Sequence, residues 1–228
     1  VSIQNIKKKN LNLSFSFKIT NKTCIKYLLS DININKPMGN DTIPPKILVM
    51  LKDEICDSIE SIANAMFDQS YFPDNAKLST VTPVFKKVDR MDKKNYRPIS
   101  VLSCLSKILE KIIYEQMAAY LENIFSPYLS GFRKKYGCQH VLMRMTENWR
   151  KLLDEKKVIA ALSMDLSKAF DSLQHDILIA KLNAYGFDMR ALKLIYTYLI
   201  NRSQVVKIKG ECSTKQQIKI GVPQGSSL

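Results

Sequence analysis

Histidine and tryptophan are nearly missing from this 228-residue chain, which holds two of the first and one of the second. His140 and His175 stand far apart, with no Cys or His at ligand spacing, which argues against a zinc site. Cysteine is sparse and scattered. Cys24, Cys56, Cys104, Cys138 and Cys212 form no CxxC pair, and their odd count does not suit a disulfide framework. They read as buried, reduced thiols of an intracellular protein. No apolar run approaches the roughly 20 residues that a membrane span needs. The opening VSIQNIKKKN lacks the apolar centre of a signal peptide. It also lacks an initiating Met, and the closing GVPQGSSL has the look of a chain interior, so a piece of a longer protein is expected.

Acidic residues are the other deficit: 21 against 35 Lys and Arg, a net charge of +14. That imbalance points to a polyanionic partner, against the plainer reading of a solvated basic surface. Hydrophobic residues make up 46%, enough for a core and too many for global disorder. The length allows one large domain or two small lobes.

The hydrophobic pattern predicts an α+β protein with long helices on short strands. Leu11, Leu13, Phe15, Phe17 and Ile19 alternate as in a strand. A short helix fits residues 21–33, and KPMGNDTIPP at 36–45 is a turn-rich loop. Pro44 and Pro45 suit the first turn of a helix striped by Ile47, Leu48, Leu51, Ile55, Ile59, Ile62, Ala63 and Met66. LSTVTPVF at 78–85 reads as a strand, KKVDRMDKKNYR as a basic loop, and 100–125 as a long amphipathic helix. Another helix fits 138–156, with Val141, Leu142, Met145, Trp149, Leu152 and Leu153 on one face. VIAALSM at 158–164 is nearly all apolar and reads as a buried strand. Helices are expected over 176–184 and 189–200, broken at Gly186, followed by a hairpin turning near Gly210 and Glu211.

Chemistry concentrates where that apolar run ends, in Ser163-Met164-Asp165-Leu166-Ser167-Lys168-Ala169-Phe170-Asp171. A carboxylate leaving an apolar strand is costly unless it is paired or holds a cation. Mg²⁺ takes such ligands, one or two carboxylates with substrate phosphates completing the shell. The plain alternative is an Asp that caps the next turn or pairs with a Lys. The basic loop carries Lys86, Lys87, Arg90, Lys93, Lys94 and Arg97 against only Asp89 and Asp92. Lys offers phosphates a point charge and Arg a bidentate fork, and Pro98 keeps Arg97 extended. For Lys93 and Lys94 a solvated loop is the better reading.

Five segments in order resemble the reverse transcriptase domain of non-LTR (LINE-type) retrotransposons, from about Phe15 to Leu228. They are KPMGNDTIPPKIL, NYRPISVLSCLSKILEKII, SGFRKKYGCQH, MDLSKAFDSLQHDIL and GVPQGSSL. The resemblance implies a right-hand polymerase fold, with residues 1–35 as an N-terminal extension, 36–157 as a fingers-like helical region, and 158–228 as the front of a palm carrying an inserted helical and hairpin segment, without a thumb. It implies RNA-directed DNA synthesis: two-metal transfer of dNTPs to a primer 3′-OH, with Mg²⁺, or Mn²⁺ in its place. Asp165 and the Leu166 carbonyl match metal ligands. Lys86 and Arg97 match residues that grip the triphosphate. Phe170 matches the aromatic gate that crowds a 2′-OH, with core packing as its plain alternative. Gln224 and Gly225 match the lining of the nucleotide pocket, and Arg133 and Lys134 fit contacts to template phosphates. Expected partners are an RNA template, a DNA primer and dNTPs, in the cytoplasm or nucleus and with no membrane.

The sequence departs from the family in one important place. Its aromatic-x-Asp-Asp element is absent, and no Asp-Asp pair occurs in the chain. Met38, Asn40 and Gln174 also differ from the usual residues. The chain alone is therefore expected not to extend a primer. The competing reading is a catalytically silent remnant that acts at most as a basic nucleic-acid-binding module.

Overall fold

A computed structural model describes residues 14–166 and 168–228. Two prolines oppose each other at the heart of its sheet. Strand β1 (Leu78–Phe85) pairs antiparallel with β2 (Tyr96–Val101), with Pro83 facing Pro98 and Val84 facing Arg97. β1 also pairs in parallel with β3 (Ser203–Ile208), which pairs with β4 (Glu211–Cys212) and β5 (Gln216–Gln217). The described residues also form seven α-helices: α1 (Lys22–Ser30), α2 (Pro45–Met50), α3 (Lys52–Gln69), α4 (Cys104–Leu121), α5 (Cys138–Asp154), α6 (His175–Ala184) and α7 (Met189–Leu199). The fold is mixed α and β, as the pattern predicts.

The chain divides into two compact units, Val1–Met117 with Lys168–Leu228, and Ala118–Ser167. The first holds the main core. Ile25 and Leu29 of α1, Cys56 and Ala63 of α3, Leu109 and Ile113 of α4, and Leu194 and Tyr198 of α7 are at most 1% exposed. Each buried Leu or Ile contributes about 1.5–3 kcal/mol. Side-chain caps fix several ends: Asn21 accepts the Cys24 amide at 2.9 Å, Ser103 the Ser106 amide at 3.0 Å, and Asp188 the Ala191 amide at 2.7 Å. Helices α2 and α3 form one stripe in the sequence, but Leu51 leaves helical geometry (φ −95°, ψ 18°) and separates them.

Several expectations are corrected. Leu11 and Leu13 lie outside the described residues, and the remainder of the expected N-terminal strand makes only a bridge between Phe15 and Phe187. Its backbone groups instead bond side-chain amides: Thr20 exchanges two bonds with Asn64, and Lys18 two with Gln116. The basic segment is not all loop, because its last two residues, Tyr96 and Arg97, open β2. The apolar run 158–164 forms no strand, and Val158, Leu162 and Met164 are at least 84% exposed. A doubly buried strand needs neighbours on both edges, and no described strand pairs with this run. Helix α5 forms as expected, yet none of its residues is buried. Of the five thiols only Cys56 and Cys104 are buried; Cys138 and Cys212 are exposed. Among the described residues, no helix is long and apolar enough to cross a membrane.

Candidate functional site

The β1–β2 hairpin organises the basic segment. The Lys86 amide donates to the Asn95 carbonyl at 2.8 Å, which extends the ladder one step past β1. With Val84 opposite Arg97, this register puts Lys86 and Arg97 on one face as diagonal neighbours. Both are exposed, as are Thr82, Val84 and Ile99 on that face. The two acids of the loop have structural work. Asp89 accepts the Met91 amide and Asp92 the Lys94 amide, each at 2.9 Å. Both carboxylates therefore shape turns in an excess of positive charge. The Arg90 guanidinium lies 5.1 Å from the Phe85 ring centre, and its carbonyl accepts the Tyr96 hydroxyl at 2.9 Å.

On the other edge of β2 lies the segment carrying Gln224. The Ser100 amide donates to the Gln224 carbonyl at 2.7 Å. The Gln224 side-chain amide donates to Asp171 at 3.1 Å, and the Val222 amide to the Phe170 carbonyl at 3.0 Å. Gly221 is held from two sides, by its amide on the Leu173 carbonyl and its carbonyl on His175 Nε2, both at 2.8 Å. A carbonyl can only accept, so Nε2 carries the proton. Gly225 has φ +122°, and a β-carbon there would lie 2.6 Å from the Ser100 carbonyl oxygen. The segment can approach β2 this closely only as glycine. A cavity of about 390 Å³ opens here, lined by Pro98, Ser100, Asp171, Gln204, Gln217 and Gln224 among others. Phe170 is 48% exposed in the turn beside it in sequence.

Asp165, Leu166, Arg133 and Lys134 belong to the unit Ala118–Ser167. Asp165 and Leu166 are exposed in irregular backbone. Among the described residues, no three His, Cys, Asp or Glu side chains form a group that could hold a metal. Arg133 is committed inside its unit. It forks onto Glu122, donates to the Leu129 carbonyl at 2.9 Å and stacks 4.2 Å from the Tyr136 ring centre. The Glu122 carboxylate holds the Arg133 guanidinium pKa above its usual value, chiefly through this hydrogen bonding. Lys134, exposed beside it, has no such engagement among the described residues.

Residue-type reasoning passed over Ser100, Asp171 and His175, which fasten the Gln224 segment. It also passed over Glu110, which is completely buried on α4. A signal was present for Glu110: it lies three residues before Ile113, inside the apolar face that also holds Leu109.

The assembly is thus an α/β protein with a cationic hairpin beside a glycine-pinned cavity. Residues 85–228 match the sequence family described as "Reverse transcriptase (RNA-dependent DNA polymerase)", and the chain belongs to that family. It is 27% identical over 221 residues to "Probable RNA-directed DNA polymerase from transposon BS" of Drosophila melanogaster, covering 96% of this chain and 24% of that protein. It is 26% identical over 207 residues to "RNA-directed DNA polymerase from mobile element jockey" of the same species, covering 90% and 22%. A third relative, "Probable RNA-directed DNA polymerase from transposon X-element", is 30% identical over 198 residues, covering 85% and 22%. The chain therefore spans about a quarter of the length of these curated relatives.

Proposed function

We propose that this chain is the nucleotide-binding front of an RNA-directed DNA polymerase from a non-LTR retrotransposon. The observation that carries the reading is the Gln224 segment, fastened to β2 and Asp171 beside a cavity, within a chain of this family. In this reading 36–157 corresponds to fingers and 158–228 to part of a palm. Lys86 and Arg97, on one face of the hairpin, bind the triphosphate of the incoming dNTP. Their charges offset its repulsion and restrict its orientation. Gln224, oriented by Asp171, lines the nucleotide pocket, and Phe170 crowds the position of a 2′-OH. Lys134 contacts template phosphates, and Arg133 chiefly stabilises its own unit.

The oxygen donors of Asp165 and Leu166 suit a hard divalent cation, and their exposure leaves room for substrate phosphates in its shell. Mg²⁺ or Mn²⁺ held there would neutralise phosphate charge and favour in-line attack by the primer 3′-OH. The second carboxylate of a two-metal arrangement is not among the described residues. Dissecting the role of Phe170 tests the reading. Phe170→Val is expected to lose roughly tenfold or more of the preference for dNTP over rNTP. Competition between the two nucleotides for the complex of this chain with primer–template measures it, and an unchanged preference would remove Phe170 from the sugar site.

A further inference from the structure

Glu110, Tyr198 and Arg202 form a buried polar cluster behind the cavity segment, each at most 1% exposed. Glu110 comes from α4, Tyr198 from α7, and Arg202 from the link that enters β3. One Glu110 oxygen accepts the Tyr198 hydroxyl at 3.2 Å and lies 3.8 Å from an Arg202 nitrogen. The other accepts the Ser227 backbone amide at 2.8 Å. Arg202 donates to the Tyr198 carbonyl at 3.1 Å, and its guanidinium carbon lies 4.6 Å from the Tyr198 ring centre. Its Nε and Nη2 have no hydrogen-bond partner among the described residues. Burial pushes the Glu110 carboxyl pKa up, while the Ser227 amide and then Arg202 pull it down.

Stability alone is a poor reason for this cluster, because apolar side chains of similar volume often fill such a space equally well. What they cannot do is accept an amide from a surface segment. That amide lies three residues beyond Gln224, whose carbonyl is held by Ser100. The two bonds bracket Gly225, the residue that lets the segment lie close to β2.

We infer that Glu110 is a positioning residue: its carboxylate anchors the Ser227 amide and thereby keeps Gln224 directed at the cavity. Arg202 supplies the positive charge that balances a buried carboxylate, and the Tyr198 hydroxyl fixes its orientation. The functional half of this inference rests on reading Gln224 as part of a nucleotide pocket.

Two charge-free pairs isolate the acceptor: Glu110→Gln with Arg202→Met, and Glu110→Leu with Arg202→Met. They match in charge and nearly in volume, and differ in whether position 110 can accept the Ser227 amide and the Tyr198 hydroxyl, of which only the amide reaches the cavity segment. The readouts are hydrogen exchange at the Ser227 and Ser100 amides and the affinity of the full 228-residue chain, with primer–template, for a fluorescent dNTP. The Leu form is expected to exchange at both amides at least about tenfold faster than the Gln form and to bind dNTP about tenfold more weakly, the factor carried by one lost hydrogen bond to this group. The Gln form should stay close to wild type in both. Equal exchange in the two forms would overturn the anchoring, and faster exchange with unchanged affinity would overturn its link to the nucleotide. If the wild-type chain binds no dNTP, the reading of Gln224 fails, while exchange still decides the anchoring. Should the Leu form fail to fold, Ser227→Pro deletes the donor from outside the core. It is then expected to speed exchange at Ser100 and to weaken dNTP binding likewise.

Discussion

Raising monovalent salt from about 50 to 200 mM is expected to weaken binding of this chain to a primer–template by roughly fortyfold. The estimate follows from the layout of charge. Lys86, Lys87, Arg90, Lys93, Lys94 and Arg97 lie on or around one hairpin, and its two acids serve the turns. With Lys86 and Arg97 serving the dNTP and Lys93 and Lys94 in solvent, Lys87, Arg90 and Lys134 make about three phosphate contacts, whose released counterions give a clear slope of affinity against salt. Lys87→Ala and Lys134→Ala should each remove slightly less than one unit from that slope and weaken all sequences alike, because phosphate contacts carry no base information. A titration at several salt concentrations decides the matter. Affinity that stays flat would mean that the net charge of +14 is merely solvated surface.

Replacing Gly225 with alanine is the second large effect. The methyl group would lie 2.6 Å from the Ser100 carbonyl oxygen, and the backbone holds φ at +122°. Neither problem resolves by turning a flexible side chain, because the obstacle is backbone. The segment must move off β2, and with it goes the bond from the Ser100 amide to the Gln224 carbonyl. Strain in that backbone region costs about 1–3 kcal/mol and the lost bond about 1 kcal/mol. If the fold accommodates the change by releasing the segment, dNTP affinity should fall by roughly a hundredfold while the melting temperature drops only a few degrees. Isothermal titration beside thermal melting separates the two. Wild-type affinity in Gly225→Ala would show that the close approach to β2 has no bearing on the pocket.

Much of this architecture was legible in the chain itself, and particular residues show why. The LSTVTPVF run became β1 with the expected ends, since β-branched residues between turns leave few alternatives. The helices after Asp176 stand close to their expected positions, with Asp188 capping the second. Strand β2 was hidden because Tyr96 and Arg97 close a charged segment, Pro98 interrupts the run, and the remainder leads straight into α4. Its pairing comes from the turns built by Asp89 and Asp92 and from Tyr96 packing 5.5 Å from Phe85. For 158–164 the composition was right for a strand, but pairing is a property of neighbours. Within the candidate site, Lys86 with Arg97 and Gln224 with Phe170 were visible as residue types. Arg133 was visible as a charge, but not its engagement with Glu122, which depends on residues eleven apart coming together. The carboxylate of Glu110 looked like an ordinary helix charge until its register placed it in the core.

Asp165 remains the centre of the account, and Mg²⁺-dependent nucleotide binding tests it most directly. Binding of a fluorescent dNTP to the chain with primer–template should be at least about tenfold tighter in Mg²⁺ than in EDTA, as expected for phosphates completing a cation's shell. Asp165→Ala should abolish that difference and leave EDTA binding as it was. Equal affinity with and without Mg²⁺, or a Mg²⁺ effect that survives in Asp165→Ala, would contradict the assignment of Asp165 as the metal-binding carboxylate.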